Sequence, residues 1–578
     1  MSRHSQQRMI DAIRRSQSEP GNHVIDEFVA GRLSRRDLLR HGTVIGLSIP
    51  TIGALLAACG SDSSSGTATT GTSGSTDTGG ATSTTPPKKG GTLIIGSGTP
   101  STASANLDPV LINDQNGLVL LSQVGQFLAI SNPDLTLSPS LATKWTPNDD
   151  GSKWTFTIDP RATFSDGSPV TAADVVATIE RLVNPDNKSN ALSAFQIGRL
   201  SPGGTTAVDD TTVLFTLDGP MGNFPYIVSS DNYNAVILPA SVTDTTQFAT
   251  AKIATSGAYM IDSYNPNSGV TFVPNPKYWG AAPLLDSIEF RFIDDIGAQV
   301  AAFTTGEIDV ISQFSVTGGE SLFDNPDVTV IEHPSSAHRQ IHMRTSKGPF
   351  TDKRVRQAMA IAMDRQAAID GLFQGKAAIA NDSPFFDLYP STGDAPDREF
   401  DLAKAKALAA EVAPDGFDVE LFGFSAQEMP DLAVLVQKAA KELNINVSIS
   451  MRDDYYDNYW VSWDPSVPGS DLGITDYGHR GVPDVFLAAP LKSVDKGGVW
   501  NAAEFSNAEY DSLVDTYTSS LDLQSQKEAS TKIQTLLQDE TPIIFPYNYN
   551  YLSATKPGVA GLVTSAMGHV FTDQASKA

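Results

Sequence analysis

Cysteine is almost missing from this 578-residue chain, with Cys59 as the single example. One thiol excludes an internal disulfide framework, a CxxC redox pair and a thiolate zinc site, so stability must come from packing. Catalytic signatures are missing too: there is no HExxH helix, no GxSxG elbow and no P-loop. Histidine is sparse and scattered, and only His333, His338, His342, His479 and His569 follow Cys59. His338 and His342 can share a strand face, but two imidazoles without a third ligand make no metal site. Gly96-Ser97-Gly98 is followed by no helix-forming run, so it is not a nucleotide loop. No metal, no cofactor and no enzymatic activity are expected, and a secreted hydrolase stands as the alternative from that class. Positive charge is scarce, with 40 Lys and Arg against 66 Asp and Glu and a net charge of −26. Such acidity favours a soluble, monomeric body and argues against nucleic acid or an anionic membrane surface as partner. Long apolar runs are absent as well, since the best stretch, 42–58, is broken by Pro50 and falls short of the roughly 20 residues that span a bilayer.

What is present begins with an export address. Ser34-Arg35-Arg36-Asp37-Leu38-Leu39-Arg40 resembles a twin-arginine signal centred on Arg35 and Arg36, with Leu38 where that pattern prefers Phe and Arg40 where it prefers Lys. Leu56-Ala57-Ala58-Cys59 reads as a lipobox that closes a short apolar region. Residues 1–58 are therefore expected to be a cleaved signal peptide, and Cys59 the lipidated first residue of the mature chain; a permanent N-terminal anchor is the alternative. Residues 60–87 are nearly all Ser, Thr and Gly with only Asp62 and Asp77 charged, so 59–89 forms a flexible tether with a reach of about 30 Å. The expected location is extracytoplasmic, held by lipid on the outer face of a bacterial cytoplasmic membrane, or periplasmic.

Behind the tether, Thr92-Leu93-Ile94-Ile95-Gly96 predicts a strand. Pro139-Ser140-Leu141-Ala142-Thr143-Lys144-Trp145 and Asp149-Asp150-Gly151 precede the alternating run Trp154-Thr155-Phe156-Thr157-Ile158. Phe164-Ser165-Asp166-Gly167-Ser168-Pro169-Val170 then makes a turn, and Thr171 with Asp174 forms a capping box ahead of Val175, Ile179 and Leu182. Further on come Ser256-Gly257-Ala258-Tyr259, Asn275-Pro276-Lys277-Tyr278-Trp279, a helix stopped by Gly306, a helix started by Asp352 with Val355, Met359 and Met363 on one face and Arg356 off it, and a capping box of Ser506 and Glu509. In this order the motifs resemble those of the extracellular solute-binding proteins of family 5, the oligopeptide-, dipeptide- and nickel-binding receptors of ABC importers.

That resemblance implies an α/β, two-lobed periplasmic-binding-protein-like fold of class II type, with an inserted subdomain and two hinge-crossing strands at 337–345 and 541–552. It places lobe I at about 90–125, 235–336 and 549–578, the insertion at about 126–234, and lobe II at about 337–548. The implied function is that of a substrate-binding lipoprotein that captures oligopeptides or dipeptides between its lobes and delivers them to ABC permease subunits. The alternatives are a non-peptide solute such as a metal–metallophore complex, an opine or an oligosaccharide, and a receptor that senses without importing.

The same resemblance names site residues. Asp476, followed by Tyr477, matches the aspartate that holds the ligand's α-ammonium, with Asp484 as runner-up. Gly473 and Ser470 stand where oligopeptide receptors carry tryptophan and arginine, while His479 and Arg480 are expected to bring positive potential. Asn113 and Gln115 match a segment that lies extended along the peptide backbone. Tyr455 matches a ligand-packing tryptophan, whereas Tyr456, Tyr459, Trp460 and Trp463 are expected in the core. Tyr547 shares a strand face with Tyr549 and Tyr551.

Overall fold

The computed structural model describes Ile10, residues 13–14, Gln17, and residues 19–48, 51–53, 55–56, 88–461 and 469–578. Cys59, most of the lipobox, the tether and Trp463 lie outside the described residues. The chain forms two compact units, Met1–Ser312 with Asp327–Ile331 and Ala554–Ala578, and Gln313–Pro326 with Glu332–Ser553.

Unit 1 is built on the strand Thr92–Ser97, which pairs in parallel with Ser287–Phe292 and with Val310–Phe314. Gly96 leaves room for the connection that precedes Val310–Phe314, because a Cβ there would lie 2.5 Å from Ile308 Cδ1. The helix Ile296–Thr305 ends at Gly306 in the left-handed region (φ 83°), as its sequence predicts. A second, four-stranded antiparallel sheet orders Ala142–Pro147, Lys153–Ile158, Thr212–Thr216 and Thr205–Ala207. Trp154, Phe156, Phe215 and Phe224 meet in its core with ring centroids 5.1–6.5 Å apart. The adjoining helix Ala172–Val183 carries the Thr171–Asp174 capping box.

The described N-terminal segment is part of unit 1 in this structure. Ser34 caps the helix Arg35–Val44, which buries Leu38, Arg40 and Val44 and leaves Arg35 and Arg36 exposed. Arg40 Nε donates to the Asp134 carbonyl at 2.7 Å, and Trp145 Nε1 donates to the carbonyls of Thr43 and Val44 at 3.1 and 3.0 Å. Among the described residues no helix is long and apolar enough to cross a membrane.

Unit 2 has its own sheet, ordered Ala377–Ile379, Tyr547–Tyr549, His338–Met343, Leu472–Tyr477, Phe417–Gly423 and Ile445–Met451. The helices Ala508–Ser519 and Leu523–Glu540 flank a core that includes Tyr510, Tyr517, Ile533, Leu537 and Phe545. Two sequence expectations shift by local chemistry. The helix 508–519 is capped by Asn507, whose Oδ1 accepts from Glu509 and Tyr510 N–H, so Ser506 is not the cap. Arg356 lies inside, not off the apolar face: its guanidinium donates to the carbonyls of Phe350 and Glu540, which end neighbouring segments.

The crossing strands also differ from expectation. Residues 337–345 supply the central strand His338–Met343, which lies wholly within unit 2 and buries all six residues. The chain changes unit instead within Val310–Phe314, between Pro326 and Asp327, within Thr329–His333 and within Tyr551–Thr555, and Gln313–Pro326, expected in lobe I, belongs to unit 2. Residues 541–552 are not one strand but Ile543–Ile544, Tyr547–Tyr549 and the start of Tyr551–Thr555.

Candidate functional site

Within unit 2 the central strand carries a charge that has no exposed position to escape to. Arg339 is fully buried and pairs in antiparallel register with Asp476 on Leu472–Tyr477. A buried guanidinium must be matched by acceptors, and it is. Arg339 Nη1 donates to Asp476 Oδ1. Its Nε lies 2.8 Å from Glu428 Oε1 and its Nη2 donates to Glu428 Oε2 at 3.0 Å, a forked pair. Its Cζ lies 4.5 Å from the ring centre of Tyr549. Burial works against the Arg339 charge, but Asp476, the two tyrosines and Glu428 outweigh it and hold the group well above its ordinary pKa.

Two tyrosines complete the cluster. Tyr547 Oη donates to Glu428 Oε1 at 3.0 Å, and Tyr549 Oη donates to Asp476 Oδ1 at 3.1 Å. Glu428 is brought in by a strained turn: Gln427 adopts φ 50°, left-handed for a residue with a Cβ, directly before the helix Met429–Lys441, and its Oε1 accepts from Arg339.

The cluster is unequal in two ways. Two carboxylates face one guanidinium, leaving a net charge of −1. Glu428 is enclosed, but the Asp476 side chain is 41% exposed. Both of its donors reach Oδ1, and among the described residues none reaches Oδ2. An oriented, partly exposed carboxylate oxygen of this kind can accept a hydrogen bond from a cation.

Beside it stands an aromatic wall. Tyr456 is half-buried, its ring 5.1 Å from Tyr455, 5.5 Å from Trp460 and 5.8 Å from Phe424. Burial first, and then the Asp476 charge, pushes its phenol up to about 12. Trp460, Tyr477 and Trp500 lie 6.1–6.5 Å from one another.

Several expected residues sit elsewhere. Tyr455 is a core residue, fully buried with its hydroxyl 2.8 Å from Thr475 Oγ1, whereas the adjacent Tyr456 is partly exposed. Tyr477 points to the opposite side of the strand from Asp476, stacked on His338 at 5.5 Å. His479 brings no positive potential, because burial pushes it down to about 3 and its Nδ1 accepts from the Ser336 N–H at 3.0 Å. Arg480 is half-buried, with Nη1 donating to the His479 carbonyl at 2.7 Å. Asp484 is buried at the start of Asp484–Ala488.

Gly473 is explained by its surroundings: a Cβ there would lie 2.4 Å from His342 Cε1 and 2.9 Å from Tyr455 Oη, so the tryptophan of the oligopeptide receptors has no room. His342 Nε2 lies 3.0 Å from Ser470 Oγ, and His338 is bonded to Ser336 O and Gln340. These histidines are thus occupied by polar partners, and among the described residues no group of three or more His, Cys, Asp or Glu could hold a metal.

In unit 1, Asn113 is exposed, with Oδ1 accepting from Ser101 Oγ at 2.9 Å. Gln115 is not extended but opens the helix Gln115–Val124, capped by Asp114.

Arg339, Gln427, Glu428 and Tyr549 were missed in the sequence reading of the site. The available signal was a lone arginine inside a strand otherwise free of exposed positions, which demands a buried acid.

The sequence profile of the bacterial extracellular solute-binding proteins, family 5 Middle, matches residues 136–479. The chain is 25% identical over 496 residues to the "Probable D,D-dipeptide-binding periplasmic protein DdpA" of Escherichia coli, covering 82% of this chain and 92% of that protein. It is 24% identical over 460 residues to heme-binding protein A of Haemophilus influenzae, covering 75% and 83%. The periplasmic binding protein DppA of Helicobacter pylori, solved with the peptide STSA, superposes with a TM-score of 0.70 at 20% identity, covering 85% of this chain and 98% of that one. That likeness fixes the two-lobed α/β fold of class II type. The chain belongs to the bacterial extracellular solute-binding proteins of family 5, the non-catalytic, extracytoplasmic binding components of ABC importers.

Proposed function

We propose that this protein captures short peptides by their free α-ammonium group for delivery to its permease. The observation that carries this reading is Asp476 Oδ2. It is partly exposed, it is oriented through Oδ1 by Arg339 and Tyr549, and it belongs to a cluster with one negative charge in excess. A charged hydrogen bond to an ammonium contributes about 1.5 to 3 kcal/mol net and is lost by any ligand without the charge. The half-buried ring of Tyr456, which feels the Asp476 charge, supplies an apolar surface for a side chain next to that amine. A lipid on Cys59 would hold the receptor at the membrane, and Cys59→Ala should release it into the soluble fraction.

The test is selection from a mixture. Native mass spectrometry of the protein exposed to a tripeptide library and to the same library N-acetylated should show bound species from the free-amine library alone. Equal capture from both libraries, or capture of neither while a non-peptide solute co-purifies, contradicts the proposal.

A further inference from the structure

Unit 1 holds a cavity of about 280 Å³ whose lining includes none of the residues of the candidate site. It is lined by residues of this unit alone, among them Gln126, Ile130, Ser140, Tyr278, Trp279 and Asp573. Tyr278 and Trp279 belong to the Asn275-Pro276-Lys277-Tyr278-Trp279 motif.

The polar groups in it form a directed chain. Trp279 Nε1 donates to Gln126 Oε1 at 2.9 Å, Gln126 Nε2 lies 3.4 Å from Tyr278 Oη, and Tyr278 Oη donates to Asp573 Oδ2 at 3.1 Å. Each donor points toward the next acceptor, and the chain ends on a carboxyl group. Among the described residues no Lys, Arg or His pairs with Asp573, and Arg161, whose Cζ lies 5.6 Å from the Trp279 ring centre, is itself paired with Asp159. Burial raises the Asp573 carboxyl above its ordinary range, as befits an acid with no cation beside it. Ile130, Trp279 and Phe571 supply apolar and aromatic walls.

We infer that this cavity is a second binding site, for a small organic cation that sets a primary ammonium on Asp573 and an aromatic or short apolar body against Trp279. At about 30 Å³ per water the space equals roughly nine waters, which matches a ligand of about eight to ten non-hydrogen atoms. The excess of acid over base in the whole chain raises the local concentration of such cations.

The probe is 4-bromobenzylammonium, with 4-bromobenzyl alcohol as the uncharged control. In crystals soaked with the amine, the bromine anomalous signal is expected between Trp279 and Ile130, with the ammonium on Asp573. In titration calorimetry Asp573→Asn should weaken the amine about tenfold or more, the loss expected for one charged hydrogen bond, and leave the alcohol unchanged. Ser140→Phe, at a partly exposed position, should abolish binding by filling the cavity with the fold intact by circular dichroism. In soaked crystals of Asp476→Asn the bromine should still occupy this cavity, which separates it from the peptide site. Absence of bromine from the cavity, unchanged bromine occupancy there in Asp573→Asn, or bromine beside Asp476 alone overturns the inference.

Discussion

The two units solve the burial problem differently. Among the described residues, unit 2 buries Arg339, Arg344, Arg356 and Arg365, whereas the one arginine that unit 1 buries is Arg40, in the helix Arg35–Val44. Unit 1 instead relies on rings such as Trp154, Phe156 and Phe215 and on short polar groups. Buried ion pairs give little net stability, so their concentration in unit 2 asks for another purpose. The pairs themselves answer it. Asp382 is fully enclosed, held by Arg365 at 2.6 Å and Arg398 at 2.5 Å, and it also accepts the Phe545 N–H, so no oxygen remains for a ligand. Asp476 is held through one oxygen and keeps the other toward solvent. Enclosed pairs lock segments together, and a half-enclosed pair aims a charge.

The largest expected difference between the units is in acid. Burial pushes His338 down to about 4, and His342 and His479 down to about 3, and all three belong to unit 2; unit 1 has His569 at about 4. These folded-state values lie below the unfolded value near 6.5, so in acid the unfolded chain binds more protons. The stabilisation is complete above pH 6.5 and is lost as pH falls toward 4, on the order of 3 kcal/mol per histidine. Asp573 acts in the opposite sense in unit 1, because its raised carboxyl favours the folded state at low pH. Proteolysis mapped by mass spectrometry between pH 7 and pH 4 should therefore cut unit 2 first; simultaneous loss of both units would break the comparison.

Next in size is Arg339→Leu, which leaves Asp476 and Glu428 facing each other without a cation. A cost of about 3 to 5 kcal/mol is expected for breaking one side of such a pair, or roughly 10 °C in the unfolding of unit 2. A fall of less than a degree or two would mean that the cluster is loosely held and cannot aim Asp476. The smallest effect should come from Gly473→Ala, at about 1 to 3 kcal/mol for overpacking against His342. The same change should cost less in a His342→Ala background, and an equal cost in both would show that His342 is not what excludes the side chain.

Local signals in the chain were legible where one residue type has one physical use. Gly306, Asp352 and the Thr171–Asp174 box each mark a helix boundary that the structure keeps, because caps act over three or four residues. Asp476 was singled out as a candidate through the order of motifs around it. Its partners were not, since Arg339, Gln427, Glu428 and Asp476 meet only through strand register and one strained turn, and periodicity carries no register between strands distant in sequence. The burial of Tyr455 was not legible for a related reason: which of two adjacent aromatics faces inward depends on a four-residue helix, Tyr455–Asn458, too short to show a period. Residues 337–345 were mistaken for a crossing because a fully buried strand and a long connecting one both read as continuous runs.

The central claim is that Asp476 recognises the ligand's ammonium, and a thermodynamic cycle tests it directly. Titration calorimetry would compare a captured tripeptide with its N-acetylated form, on the unaltered protein and on Asp476→Asn. The account predicts that acetylation costs the unaltered protein about 10- to 150-fold in affinity, the worth of a charged hydrogen bond, and costs Asp476→Asn far less, because the charge it would abolish is already gone. The same acetylation penalty in both proteins would show that the amine is held elsewhere, and would contradict the account.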